Sequence, residues 1–397
     1  MEKGRMFKQT VAITAMNLKA IPQRLGTSSV IVVGIAGVVA VLVSVLAMAT
    51  GFHETVANSG RADRAIVLRG GSEAEINSSV SRDNALTILD TAGVRRDAGG
   101  KPIGCAELVT IVNLPKISDG NESNVTVRGS CGELPALRPE LKIVDGRMFQ
   151  PAVREMIVGA GAAKQFKGLS VGQHLSFRDS DWTVVGIFSS NGDAHESELI
   201  ADAETVQSAF RRTGFQSITL LLDAPSAFDR FKDALTTNPT LTVDVKREPD
   251  YYAEQSKQLT TMLNFVAYFV GSIMAIGAMF GALNTMYSAV SARAREIATL
   301  RAIGFGAAPV MVSVFAESLL LALLGGAIGA LLAWLFFNGN AVSTLGANFS
   351  QVVFHLTVTP QLIIAGLCLG LFVGLLGGLF PAIRSARMPV VEALRAS

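Results

Sequence analysis

Four long apolar runs set the pattern of this chain: residues 28–52, 262–287, 307–337 and 362–383. The first carries no charge over 25 residues. As a helix rising 1.5 Å per residue it measures roughly 37 Å, enough to cross a hydrocarbon core of about 30 Å. We therefore expect four transmembrane helices. An Ala47-Met48-Ala49 triplet resembles a signal-peptidase site, but 27 residues precede the run and it is too long for a signal core, so it is read as a retained anchor.

Between the first two runs, residues 53–261 alternate short strand-like and helix-like stretches, none long enough to span a bilayer. Strands are expected at 65–68, 108–112, 124–128, 155–158, 183–188 and 217–222. Helices are expected at 82–91, capped by Ser81, and at 202–210 and 225–236. Ser118-Asp119-Gly120-Asn121 reads as a hairpin turn and places a β-rich lobe at about 101–190, giving a two-lobed α+β domain. Residues 251–262 run into the second span without a breaker, which predicts a stalk.

Residues 288–306 separate the second and third spans. Val290, Ala294, Ile297 and Leu300 draw one apolar stripe, with Arg293, Arg295, Arg301 and Glu296 around it, and Gly304 and Gly306 stop the pattern before Pro309. This predicts a short amphipathic helix at the mouth of two spans.

Topology follows from lysine and arginine on short flanks. The segment 1–27 carries five, 288–306 carries three and the tail 384–397 carries three, whereas 338–361 has none. Both termini and 288–306 are expected inside, with 53–261 and the loop 338–361 outside. The outer domain holds 23 basic against 28 acidic residues, a net of −5, so the formal charge of +2 reflects topology and no nucleic-acid partner is expected. Cys105 and Cys131 lie in that domain and are read either as a disulfide or as two buried thiols; Cys368 lies in the fourth span.

Catalytic chemistry is sparse. A phosphate-binding glycine loop needs glycine five residues before its Gly-Lys pair, and the one such pair, Gly100-Lys101, has Arg95 there and Pro102 after it. Gly159-Ala160-Gly161 reads as a strand-to-helix turn. His53, His174, His195 and His355 are far apart, and His195 with Asp193, Glu196 and Glu198 is read as a solvated loop rather than a metal or acid–base cluster. No metal site, cofactor or enzyme activity is expected. Glycines four apart, Gly277 and Gly281, Gly325 and Gly329, and Gly366, Gly370, Gly374 and Gly378, predict close helix packing. Glu317, the sole charged residue in a span, either pairs with Arg384, Arg387 or an arginine of 288–306, or reaches interfacial water.

The segment from Arg293 to Gly304, the ending Phe380-Pro-Ala-Ile-Arg-Ser-Ala-Arg387 with Glu392-Ala-Leu-Arg395, and Glu317 ahead of 319–326 resemble the MacB/FtsX-like permeases of type VII ABC transporters. The outer domain resembles them more loosely, through Val144-Asp-Gly-Arg147 and 159–186. The resemblance implies a multi-pass permease of the bacterial inner membrane, a homodimer or a heterodimer with a sister permease, carrying two ATPase subunits that bind ATP and magnesium. It implies that Arg293, Arg295, Glu296, Leu300 and Arg301 dock the ATPase, whose closure moves the stalks and drives export or extraction. A periplasmic adaptor and outer-membrane channel are further implied partners. MacB itself carries a fused N-terminal ATPase, so a separate ATPase gene is expected here. An FtsX-like signal transmitter acting on a periplasmic hydrolase or sensor is the alternative; a passive scaffold leaves the arginine-rich helix unexplained.

Overall fold

Residues 9–17 form a short helix, α1, and Leu25–Ala57 a long one, α2, in a computed structural model that describes residues 9–17, 25–177, 180–346 and 348–387. The chain continues through β1 (Arg64–Arg69), α3 (Arg82–Leu89), β2 (Gly104–Pro115), β3 (Glu122–Ser130), α4 (Leu134–Leu137), β4 (Lys142–Gly146), β5 (Glu155–Gly159), α5 (Ala160–Gln165), β6 (His174–Phe177) and β7 (Ser180–Ser189). After these come β8 (Leu199–Asp202), α6 (Ala203–Phe210), β9 (Ser217–Leu221), α7 (Phe228–Thr236), β10 (Val243–Arg247) and α8 (Glu248–Ala292). The C-terminal part holds α9 (Ala294–Ala302), α10 (Ala307–Phe337), β11 (Ala341–Leu345), β12 (Gln351–His355) and α11 (Pro360–Arg387). Two units result: a helical one from the described residues of 1–50, 261–340 and 356–397, and an α/β domain from 51–260 and 341–355.

In the α/β domain ten strands share one mixed sheet, ordered β10-β1-β9-β2-β3-β8-β5-β7-β4 with β6 on β7. β2 joins the two lobes. Its first residues, 104–107, pair with β9, and 108–115 pair with β3. One core, with Val67, Ile88, Leu220 and Phe231, is closed by α3 and α7; the other, with Val127, Met156, Trp182 and Val206, is closed by α5 and α6. Ser81 Oγ accepts from Asn84 N at 3.2 Å, and Asp202 caps α6 through Thr205 N at 3.0 Å. At the β2–β3 turn Gly120 takes a φ of 74°, the left-handed region that favours glycine. Strand β2 extends beyond the expected 108–112 at both ends and carries Glu107 buried within it.

The helical unit contains helices long and apolar enough to cross a membrane, formed by α2, α8, α10 and α11. Ile35, Val39, Val314, Leu321, Ala322 and Val373 build its core. Glycines let the backbones meet. A Cβ added at Gly325 would lie 2.7 Å from Val32 O, and one at Gly366 2.8 Å from Val39 Cγ1. Gly370 abuts Ile35, Gly329 abuts Ala36, and Gly374 and Gly378 abut Ala322 and Ser318. Gly277 and Gly281 differ: nothing lies within 4 Å of a Cβ at either, so the spacing that predicts packing leaves this pair on the outer face of α8.

The segment 338–361, expected as a loop, forms the β11–β12 hairpin and belongs to the α/β domain. Its β-branched and aromatic residues, Val342, Thr344, Val352, Val353 and Phe354, suit a pleated strand, and the absence of charge concealed that preference.

Candidate functional site

The arginine-rich segment is two helices, not one. α8 continues to Ala292, Arg293 leaves helical geometry with φ −100° and ψ 9°, and α9 runs from Ala294 to Ala302, with Gly304 beyond it at φ 99°. Val290 therefore lies on α8 and Ile297 on α9, and both enter the same core beside Val310 and Val314. Arg293 turns inward. Its Nη2 lies 2.5 Å from Glu317 Oε1, and the residues are 6% and 3% exposed. Of the alternatives for Glu317, the geometry pairs it with Arg293; Arg384 instead lies over the Tyr287 ring, 5.4 Å from its centroid.

Of the residues expected to dock a partner, Arg293 is buried against Glu317. Arg295 and Glu296 are exposed, and Leu300 and Arg301 are half-buried. Ile303, unremarked in the sequence, is 69% exposed. Six positions beyond Ile297 it lies about 240° around a helix, off the buried face, and that phase was its available signal. α1 completes the cluster. Ile13 joins the core, Asn17 Nδ2 donates to Ser313 Oγ at 2.6 Å, and Gln9 Nε2 donates to Gly304 O at 3.3 Å.

A second polar centre lies inside the α/β domain. Arg128 meets Glu75 at 2.8 Å, Glu107 at 3.0 Å and Glu198 at 2.7 Å, all buried. Ser217 donates to Glu75, and Ser130 and Thr219 donate to Glu107. Burial pushes the Glu75 carboxyl up, but the Arg128 charge and hydrogen bonds outweigh it and bring it down to about 2. Nearby, Glu248, the first residue of α8, binds Arg64 at 2.6 Å and Arg138 at 2.9 Å. Tyr251 and Tyr252 follow it. The Tyr251 hydroxyl accepts from Glu75 N at 3.2 Å, and the Tyr252 hydroxyl lies 3.0 Å from His195 Nε2. The domain end of α8 is thus fixed by charge and hydrogen bonds at once.

The reading of 193–198 as a solvated loop is corrected here: His195 is 1% exposed, and Asp193 and Glu198 are also buried. Burial raises the Asp193 carboxyl, and the neighbouring His195 and Ser190 more than reverse this, leaving it below the usual range. Among the described residues no group of three or more His, Cys, Asp or Glu side chains could hold a metal ion. Cys105 and Cys131, left open in sequence, are joined in a disulfide with Cα atoms 5.4 Å apart, tying β2 to the segment after β3. A wide cleft of about 1070 Å³ opens between α3 and α6, its rim charges paired as Arg82 with Glu204 and Lys101 with Glu133.

Residues 268–390 match the FtsX-like permease C-terminal family, and residues 25–238 match the MacB-like periplasmic core domain. An uncharacterized ABC transporter permease of Methanocaldococcus jannaschii is 25% identical over 60% of this chain and 61% of its own length. The macrolide export ATP-binding/permease protein MacB of Bdellovibrio bacteriovorus is 22% identical over 93% of this chain and 59% of its own. The uncharacterized ABC transporter permease YknZ of Bacillus subtilis is 20% identical, covering 97% and 96% respectively. The chain therefore spans about three fifths of the first two relatives and nearly all of the third.

Proposed function

The chain belongs to the FtsX-like, MacB-type family of ABC transporter permeases, and on that premise we propose that it is the membrane subunit of an exporter driven by ATP hydrolysed outside these 397 residues. The absence of a Gly-x4-Gly-Lys-Ser/Thr loop from the sequence supports this division of labour. In this reading both termini and α9 face the cytoplasm of a bacterial cell, and the α/β domain works on the other side of the inner membrane. The permease pairs with a second copy or a sister chain, and each binds one ATPase. An adaptor and an outer-membrane channel extend the path where a second membrane is present.

One observation carries the proposal: α9 is packed into the bundle along one edge and exposed to solvent along the other. Arg293–Glu317, Val290 and Ile297 fix the inner edge. Arg295, Glu296 and Ile303 form the outer one. A partner pressing that outer edge cannot shift α9 alone, because a close-packed core and a buried ion pair resist local deformation. The load passes to α10 through Glu317 and to α8, one unbroken helix of 45 residues whose first residue is gripped by Arg64 and Arg138. ATPase closure would thereby move the α/β domain and its cargo without a channel for cargo across the bilayer. The size of the outer domain, 209 residues from 53 to 261, favours export over a minimal signalling permease.

The test is co-purification of the ATPase with the detergent-solubilised permease. Ile303→Asp with Arg295→Glu should weaken binding at least tenfold, and a Gly/Ser linker in place of 294–302 should abolish it. Full ATPase binding by the linker variant would refute docking at α9.

A further inference from the structure

The hairpin β11–β12 lies between two membrane helices yet belongs to the α/β domain. We infer that it is a strap by which α10 and α11 hold that domain directly, in parallel with the longer helices α2 and α8. The inference rests on the mechanical reading above and adds a load path that neither the sequence motifs nor the family matches indicate.

The first support is how firmly the hairpin is seated. Thr126 Oγ1 donates to Ser350 Oγ at 2.6 Å in a buried contact, and Asn124 Nδ2 donates to Phe349 O at 2.8 Å, both from β3. Gln165 Nε2 on α5 donates to Ser343 Oγ at 2.5 Å, and Val353 N donates to Ser197 Oγ at 2.8 Å. Three separate segments of the domain thus hold both strands and the turn. Phe354 is wholly buried and meets the Phe52 ring edge-on with centroids 5.5 Å apart. A loop that merely joined two helices would have no reason to place an aromatic ring in the domain core.

The second support is the absence of slack. Only residues 338–340 and 356–359 connect the hairpin to α10 and α11. At most about 3.6 Å per residue, these connectors reach roughly 11 and 14 Å when fully extended. They are also braced against each other: Gly339 N donates to Leu356 O at 2.8 Å, Leu356 N to Asn340 O at 3.0 Å, and Val358 N to Asn338 Oδ1 at 3.0 Å. The ladder of the hairpin continues into its connectors, so tension on either helix reaches the strands before the connectors can lengthen.

A small space lies beneath the strap. A cavity of about 50 Å³, large enough for a few waters, is lined by Ser350 and Gln351 of the hairpin region, by Glu75 and Arg128, and by Tyr251 and Tyr252 of α8. Here the strap, the charged centre and the start of α8 line one space.

The test uses the full chain with its ATPase in lipid nanodiscs, with a dye on Lys232→Cys in a Cys368→Ser background and an acceptor on the lipid. ATP should change the transfer efficiency. Phe354→Ala with Thr126→Val should at least halve that change while ATP hydrolysis stays within twofold. The milder Ser197→Ala should raise exchange of the Val353 amide about tenfold. A Thr126→Cys/Ser350→Cys disulfide added to Phe354→Ala should restore the response. An unchanged ATP response in the undocked variant, or a Val353 amide that exchanges as fast as a free loop in the unaltered chain, would overturn the strap. Failure of the unaltered chain to bind ATPase, read in the same preparation, would instead sink the function proposed above.

Discussion

Breaking the Arg293–Glu317 pair should destabilise the helical bundle far more than removing it whole. The two side chains are 8% and 4% exposed and 2.5 Å apart. At an effective dielectric of 20 and a charge separation of about 4 Å, their attraction is about 4 kcal/mol, comparable to the cost of burying the charges. Arg293→Met leaves a buried carboxylate, and Glu317→Leu leaves a buried guanidinium. Each should lower stability by about 3–5 kcal/mol. Arg293→Met with Glu317→Leu removes both charges and keeps most of the volume, so it should lie within about 1–2 kcal/mol of the unaltered chain. Equilibrium unfolding in mixed detergent micelles gives all three values, and a double-mutant cycle gives the coupling. If each single variant costs less than about 1 kcal/mol, or the double variant costs their sum, the pair does not clamp α9 to α10 and the proposed load path loses its first joint.

Three further outcomes follow from other parts of the molecule. Glu75 titrates at about 2 in the folded chain against 4.5 when free, so its stabilisation is complete above pH 4.5 and is lost as pH falls from about 4.5 to 2. The loss is worth about 3 kcal/mol, should appear in the fluorescence of buried Trp182, and should flatten in Glu75→Gln. Gly325→Ala should cost about 1–3 kcal/mol because its Cβ meets the backbone oxygen of Val32, whereas Gly277→Ala should be nearly neutral in unfolding of the single chain. Cys105→Ala with Cys131→Ala opens a loop with a sequence separation of 26 and should cost about 3 kcal/mol in thermal unfolding of the α/β domain.

The membrane helices were legible because their cause is local: a run of apolar residues matched to the thickness of a bilayer needs no knowledge of the rest of the fold. The strand and helix stretches of the α/β domain were legible for a similar reason, since alternation and caps such as Ser81 act within a few residues. The same local reasoning misjudged 193–198, where a run of acids around His195 reads as hydrated. Arg128 lies 70 residues from Glu198 and 53 from Glu75, and Ser217 lies 142 from Glu75. Side chains so separated become partners only when the sheet places β2, β3 and β9 side by side.

The amphipathic segment shows both regimes in one place. Its periodicity marked an inner and an outer face, and Gly304 marked its end. Periodicity alone could not show the break at Arg293, nor which arginine turns toward Glu317, because these depend on where α10 stands. Sequence by itself determined the four spans, the two-lobed domain between the first pair and the short helix between the next, all set by composition and period within one segment. Tertiary structure alone decided the buried charge centre, the seating of the hairpin on the domain and the outward placement of Gly277 and Gly281, because each is a property of surfaces brought together from distant parts of the chain.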